Sequence, residues 1–580
     1  MRHLSLLFLW LLTASLSAQT TPYEADPERN TSADHAQLLE FYTALSAKYP
    51  GRCELQLDTN LQTDSGLPLP VIVLDQNGRF KPDPGRWKMV LLVNNAIHAG
   101  EACGVDGSML FARDLLEGKG GDWDEVTVVI IGAYNLGGLL NRSTDTRVNQ
   151  DGPQEHGFRG NARNLDLNRD FIKADTRNAR SFARLFQAWD PDLFIDNHTT
   201  NGSDHRYDFT LIPTEHSRLP EPLARYQTEA LLPFLYAELA MRGVAATPYV
   251  YSYGSYGKPP TEDGIMAFPD LPRYSTGYAA LNHTLGFMPE THALKPFHKR
   301  VEGVHQFMLA ATEWLQLDEG ELREARLEAR AAYAAQTGIP LVYELDTTRY
   351  DTLKFKGYTS EMRPSKVTGQ DRLYYNHERP LDTTIRHYNY YRPTLSAARP
   401  RAYILPQAYR EVAERLRLNG VLMQPLERDT TLRVTTYRIS KFGSYDQPYE
   451  GHFYHNQVEL SSEIIECRYR RGDYLIPADA AQPALRYVIE TLEPEAPDSY
   501  FRWNFFDGVL QQKESFSPYR FEEIAERLLM EKPELKAALE AARAADPELA
   551  ESAYGQLDWI YRHSNYLEPD AYRYPVGIIR

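Results

Sequence analysis

The chain is poor in cysteine, in net positive charge and in long apolar runs. Cys53, Cys103 and Cys467 are its only cysteines in 580 residues. That count allows one disulfide and excludes a disulfide framework. Stability must come from burial, and a chain of this length can bury enough. Lys and Arg total 63 against 79 Asp and Glu, a net charge of −16. No broad basic face is therefore on offer to a phosphate backbone, and nucleic acid is not an expected partner. Beyond the amino terminus no apolar stretch is long enough to span a bilayer, so no membrane span is expected in the mature protein. Neither an internal repeat nor a low-complexity tract is present.

The first residues do carry a pattern. Met1-Arg2-His3 precedes an apolar run over 4–12 and small residues up to Ala18. These are the three parts of a secretory signal peptide, with cleavage after Ala18, and they point to a secreted or periplasmic protein. No cysteine follows to take a lipid anchor.

Residues 19–33 read as a loose polar segment. From 34 onward, strand-length apolar runs alternate with helical spacings. Strands are expected over 53–57, 67–74, 87–94, 126–133 and 193–196, and helices over 34–49, 105–116, 178–189, 221–242 and 297–315. This alternation argues for an α/β unit whose mixed, mostly parallel sheet is flanked by helices. Residues 319–338 are charged and alanine-rich and read as a helical linker. A catalytic domain is thus expected over 34–318 and a C-terminal accessory domain, α/β or β-rich, over 339–580. The aromatic run from Asp498 to Phe506 fits packing better than ligand binding.

The chemistry gathers at strand ends. In Asn94-Asn95-Ala96-Ile97-His98-Ala99-Gly100-Glu101, an imidazole and a carboxylate three apart leave a strand together and can reach one zinc ion. Taken alone, His-x-x-Glu is a weak signal. A third ligand must come from elsewhere, and His198, just past the 193–196 strand, is placed to supply it. His205 competes, on a polar loop. Arg169, in Asp166-Leu167-Asn168-Arg169, can grip a carboxylate with two parallel hydrogen bonds, and Asn168 can add another. Glu290 follows an apolar run, where burial would raise its pKa.

His98-x-x-Glu101, Asp166-x-Asn168-Arg169, His198 and Glu290 fall in the order found in the zinc carboxypeptidases, and the chain resembles that carboxypeptidase A-like family over roughly residues 34–316. The resemblance implies a carboxypeptidase-like fold and one Zn²⁺ per chain, held by His98, Glu101 and His198. It implies that Glu290 is general base and acid, and that Asp166 orients His98. It gives Asn168 and Arg169 the free C-terminal carboxylate of a peptide substrate. An upstream arginine supplies the oxyanion donor: Arg147, with Arg142 and Arg159 as rivals. A tyrosine over the substrate is expected at Tyr274 or Tyr278. The activity implied is a secreted metallocarboxypeptidase. Two other readings stay open: a zinc amidase acting on cell-wall peptides or small acyl-amino acids, and a secreted binding protein with a vestigial zinc site.

Overall fold

A computed structural model describes residues 20–253, 258–260 and 263–580. The expected signal peptide over 1–18 lies outside the described residues. The chain forms two compact units. The first holds residues up to Arg399 together with Glu414–Leu422 and Ala480–Asp498; the second holds Pro400–Ala413, Met423–Asp479 and Ser499–Arg580.

The first unit is built on a mixed sheet of nine strands. Helix α1 (His35–Lys48) leads into β1 (Cys53–Gln56) and β2 (Val71–Leu74). Then come β3 (Met89–Asn94), helix α2 (Cys103–Leu116) and β4 (Val126–Ile131), and further on helix α3 (Arg177–Trp189) and β5 (Leu193–Asp196). The short β6 (His198–Thr200), β7 (Phe209–Pro213) and β8 (Ala246–Pro248) follow. After the two-residue β9 (Ile265–Met266) come helix α4 (Ser275–Leu281), β10 (Leu285–His292) and helix α5 (Phe297–Leu317). The strand order is β1-β2-β4-β3-β5-β10-β7-β8, with β6 also on β10. Strands β4, β3, β5 and β10 run parallel, and β7 is antiparallel to β10. Every residue of β3, β4 and β5 is buried. Continuous apolar runs such as Met-Val-Leu-Leu-Val are what a parallel strand covered on both faces requires. Helices α2 and α5 approach so closely that a Cβ on Gly107 would lie 2.6 Å from Val304.

Two expectations need correction. The 319–338 segment is not a linker. Helix α6 (Glu321–Ala335) buries Leu322, Ala329 and Arg326. The Arg326 guanidinium donates to Asp190 at 2.7 Å and also to Asp192. A helix whose arginine closes onto the buried Asp192 carboxylate belongs to the core it closes. The boundary also falls later than expected. The antiparallel pairs β11 (Gly338–Leu345) with β14 (Tyr391–Ala398), and β12 (Asp351–Pro364) with β13 (Asp371–Tyr388), lie within the first unit. Strand β9 pairs with β13. The expected helix over 221–242 runs without interruption from Glu221 to Met241, wound more widely over Tyr226–Leu231.

The second unit is a six-stranded sheet, in which β15 (Ala402–Leu405), β16 (Gln424–Pro425), β17 (Thr430–Ser444), β18 (His455–Tyr469), β19 (Tyr474–Pro477) and β20 (Gly577–Ile579) take the order β16-β19-β15-β20-β17-β18. A helical cluster around Phe521, Leu528, Leu539 and Ile560 completes it. Trp503 of the aromatic run is fully buried and stacks on Tyr449. All three cysteines are free thiols. Among the described residues no helix is long and apolar enough to cross a membrane.

Removing a partner from a buried ion pair strands the other charge. Arg326→Ala should therefore cost about 3 kcal/mol of stability, read from urea unfolding. A midpoint equal to that of the parent would return α6 to the role of a spacer.

Candidate metal centre and active site

His98 and Glu101 sit on the turn that leaves β3. That turn is held in a costly shape. Ala96 has φ of 54°, in the left-handed region that residues with a Cβ avoid. Its carbonyl accepts from Asn135 N–H at 3.1 Å, and that of Asn95 accepts from Tyr134 N–H at 2.8 Å. Asn197 donates from its amide to the Asn95 side chain at 2.8 Å, tying the end of β3 to the end of β5. His198 starts β6, beside Glu290 of β10 in parallel register. Glu290 in turn pairs with Thr210 of β7. Paired residues point to the same side of a sheet, so His198 and Glu290 face one cleft.

The two imidazoles are held in the same way. His98 Nε2 lies 2.9 Å from Asp166, and His198 Nε2 lies 2.9 Å from Asp196. A carboxylate only accepts, so each Nε2 carries the proton. Each Nδ1 of a neutral ring is then a bare lone pair. Those lone pairs face Glu101: His98 Nδ1 is 3.2 Å from one oxygen, and His198 Nδ1 is 3.0 Å from the other. Three acceptors pointed at one another repel unless a cation joins them. His98 Nδ1 is buried without a hydrogen-bond partner, and ligand atoms of His98, Glu101 and His198 lie within 4.8 Å of one another. Ligands of a tetrahedral ion at bond lengths near 2.1 Å stand about 3.4 Å apart. The donor set therefore fits a metal ion.

The electrostatics agree. Burial alone would lower the pKa of His198, but Asp196, Glu101 and Glu290 hold it well above its ordinary value. Burial alone would raise that of Glu101; His98, Arg147 and His198 hold it well below. Asp166 is likewise depressed against burial by His98, Arg159 and Arg169. Glu290 lacks such support. Burial pushes its carboxyl up to about 7, with Glu101 adding to the rise and His198 opposing it.

The cleft has a volume of about 280 Å³ and is lined by the three ligand residues, Arg147, Arg159, Asn168, Arg169, Tyr274 and Glu290. Arg147 reaches Glu101 at 3.1 Å and Gln150 at 2.7 Å. It passes so near Gly100 that a Cβ there would lie 2.4 Å from its side chain. Arg159, the more exposed of the two, donates to Asp166 at 2.8 Å. Arg142 is turned instead to the carbonyls of Ser32, Ala33 and Glu155. The side-chain oxygen of Asn168 accepts from Ser275 N–H at 3.2 Å, so its NH₂ is the part left to offer a ligand. Arg169 stacks its guanidinium on the Tyr274 ring at 4.5 Å. It stands 4.0 Å from Asp166, while Asp170 pairs with Lys173.

Tyr278 is a correction. It is fully buried, donates to Asn419 at 2.6 Å and packs on Phe171 and Phe186. Tyr274 is the extended residue before helix α4, whereas Tyr278 lies within the helix and points into the core, where it cannot touch a substrate. His205 is not among the ligands either; it packs edge-on against His292 at 4.5 Å. Sequence reasoning missed Asp196, although Asp-x-His on a strand puts both side chains on one face. It also missed Tyr249, Tyr251 and Phe268, which line the cleft.

Carboxylates that fix a metal-binding imidazole typically contribute 10- to 100-fold in affinity. Asp196→Asn should weaken zinc binding by about that factor, measured by competition with a chromogenic chelator. Acid should act in the same direction. Because the metal-free His198 holds its proton to higher pH than usual, the proton competes with the metal as pH falls. The rise in melting temperature on adding zinc should shrink steadily with acidification, and a rise that is constant between pH 8 and pH 5 would remove His198 from the ligand set.

No protein-family profile matches the chain, and no curated protein does. Among solved structures, the chain is similar to a metallo-carboxypeptidase from Burkholderia cenocepacia, at 15% identity over 48% of this chain and 69% of that one, TM-score 0.35. It is similar to a metallo-carboxypeptidase from Pseudomonas aeruginosa in complex with (2-guanidinoethylmercapto)succinic acid, at 16% identity over 49% and 69%, TM-score 0.35. It is also similar to the carboxypeptidase A from Helicoverpa armigera, at 13% identity over 58% and 81%, TM-score 0.34. The architecture of the first unit itself is a mixed sheet with flanking helices.

Proposed function

We propose that this chain is a secreted zinc-dependent carboxypeptidase that removes the C-terminal residue of a peptide. The observation that carries the reading is the meeting of His98 Nδ1 and His198 Nδ1 with Glu101, in a cleft that also holds Glu290 and Arg169. Two imidazoles and a carboxylate form a donor set that suits zinc. When bound, such an ion supplies a Lewis acid at the scissile carbonyl and makes a water molecule more acidic.

The protein's own groups do the rest. Arg169 and Asn168 bind the terminal carboxylate and so place the last peptide bond at the metal ligands. Stacking on Tyr274 fixes the orientation of the Arg169 guanidinium plane. Glu290, with its carboxyl near neutrality, takes a proton from the attacking water and returns it to the leaving amine. Arg147 and Arg159 lie beside Glu101, where a guanidinium stabilises negative charge gathering on the carbonyl oxygen. A zinc amidase would share the metal trio but would have no need of Arg169 and Asn168 side by side in the cleft. A vestigial binding protein would have no need of a buried, unpaired Glu290. The amino-terminal pattern supports export.

Glu290→Gln should retain zinc yet lose about 10²- to 10⁴-fold in kcat. Its carboxylate is the active form, so kcat/KM in the parent should fall as pH drops through the Glu290 ionisation, and that acid limb should be absent from the residual activity of the variant. A peptide and its C-terminal amide offer the direct comparison. The free acid should be cleaved and the amide spared; equal rates would exclude a carboxypeptidase.

A further inference from the structure

Helix α4 begins beside the cleft, and the residues at its start touch both side chains assigned to the substrate carboxylate. The Tyr274 ring lies under the Arg169 guanidinium at 4.5 Å. One residue on, Ser275 N–H donates to the side-chain oxygen of Asn168 at 3.2 Å. Arg169 also donates to the Asn168 carbonyl at 2.8 Å, which joins the two. The aim of this pair is therefore set by where the turn before α4 places its backbone. Tyr274 offers the helix no side-chain cap, so the turn needs support from elsewhere.

That support comes from far along the chain. Residues 480–498 belong to the first unit, although in sequence they lie between two stretches of the second. Helix α7 (Leu485–Leu492) of this segment is buried along its whole length. Its Arg486 donates to the Ala280 carbonyl, at the far end of α4, at 3.1 Å and to Glu490 at 2.7 Å. Asp498, only 2% exposed, closes the near end. One of its oxygens accepts from Arg273 N–H at 2.8 Å, and the other lies 2.8 Å from the Arg273 guanidinium. Arg273 is itself buried. A carboxylate that binds the backbone and the side chain of one residue fixes both its place and its direction, and Arg273 directly precedes Tyr274.

We propose that Asp498 is a positioning residue for the carboxylate anchor: through Arg273 it sets the turn that carries Tyr274 under Arg169 and Ser275 N–H against Asn168. The inference deepens the carboxypeptidase reading and rests on it for the ligand, the free carboxylate of a peptide. Two apolar side chains of similar volume could fill the same space, and buried ion pairs often add little net stability over such a replacement. What the carboxylate adds is direction. Without it, Tyr274 and the Asn168 amide would shift relative to Arg169, and a grip whose strength lies in alignment would weaken. The metal ligands stand on other elements, the turn after β3 and strand β6, so the loss should fall on substrate binding and spare the metal.

The test uses the full zinc-loaded chain and a panel of N-acylated dipeptides. Asp498→Asn should raise KM by about tenfold and lower kcat by less than about threefold. Zinc affinity, read by chelator competition, should be unchanged. Asp498→Glu, which restores the charge, should recover part of the loss. If Asp498→Asn does not fold, Arg273→Met combined with Asp498→Leu removes both charges at once, a replacement that buried pairs commonly tolerate, and should show the same rise in KM. An unmoved KM in the folded variants, or KM, kcat and zinc affinity all shifting together, would overturn the proposal. So would loss of folding in both, which would make the pair a structural tie. Calorimetric titration with N-acetylated amino acids and their amides separates the two layers. A preference for the acids that falls in Asp498→Asn, without turnover of any peptide by the parent, would sink the carboxypeptidase reading and keep Asp498 in its role. A preference that stands unchanged in an active variant would remove that role and keep the reading.

Discussion

The site depends on two carboxylates gripping two imidazoles from behind. Asp166 and Asp196 each fix the Nε2 proton of a histidine at 2.9 Å. That single constraint decides the tautomer, the ring orientation and the direction of the remaining lone pairs. With both Nδ1 atoms turned on Glu101, the cluster is a cage of acceptors. In the metal-free state it is quieted by protonation, which is why the His198 pKa stands high. Proton and metal are thus alternative occupants of one electrostatic well, and the same negative surroundings that favour one favour the other.

The sheet brings these groups together by register. Four parallel strands end on the same side, and the residues just beyond their ends converge, as in open α/β sheets generally. Asn94, Asn95 and Asn197 knit those ends. Asn94 donates to Asp196 at 2.9 Å, so the carboxylate that orients His198 is itself held by the strand carrying the His98 turn. Movement of β3 relative to β5 would disturb both ligands together. Thr199 N–H adds a bond to Glu101 at 2.9 Å. These polar bonds lie among fully buried apolar residues, where a lost partner costs more than it would at the surface. The left-handed backbone at Ala96 persists because its surroundings over-determine it.

Much of this was legible in the sequence because it is written in local patterns. Continuous apolar runs marked β3, β4 and β5, and His98-x-x-Glu101 sat where a strand ended. Tyr278 failed for a local reason too. Tyr274 and Tyr278 are one helical turn apart, but Tyr274 caps the helix at the cleft while Tyr278 points with the helix into Phe171 and Phe186. The 319–338 segment misled because charge and alanine read as solvated helix. Its Arg326 is charged but buried, and only the three-dimensional proximity of Asp190 and Asp192 explains it. Long-range ion pairs leave no periodicity, so composition could not show that this helix belongs to the core.

The misplaced boundary also hid a second cavity, which adjoins the cleft along Ile212, Tyr249 and Phe268. Its walls combine Glu215 and Gln227, from the segments after β7, with Asp351, His387, Asn389 and Tyr390, which sequence reasoning had assigned to another domain. Only when β12 and β13 join the first unit does a carboxylate-and-amide lining stand next to the metal ligands.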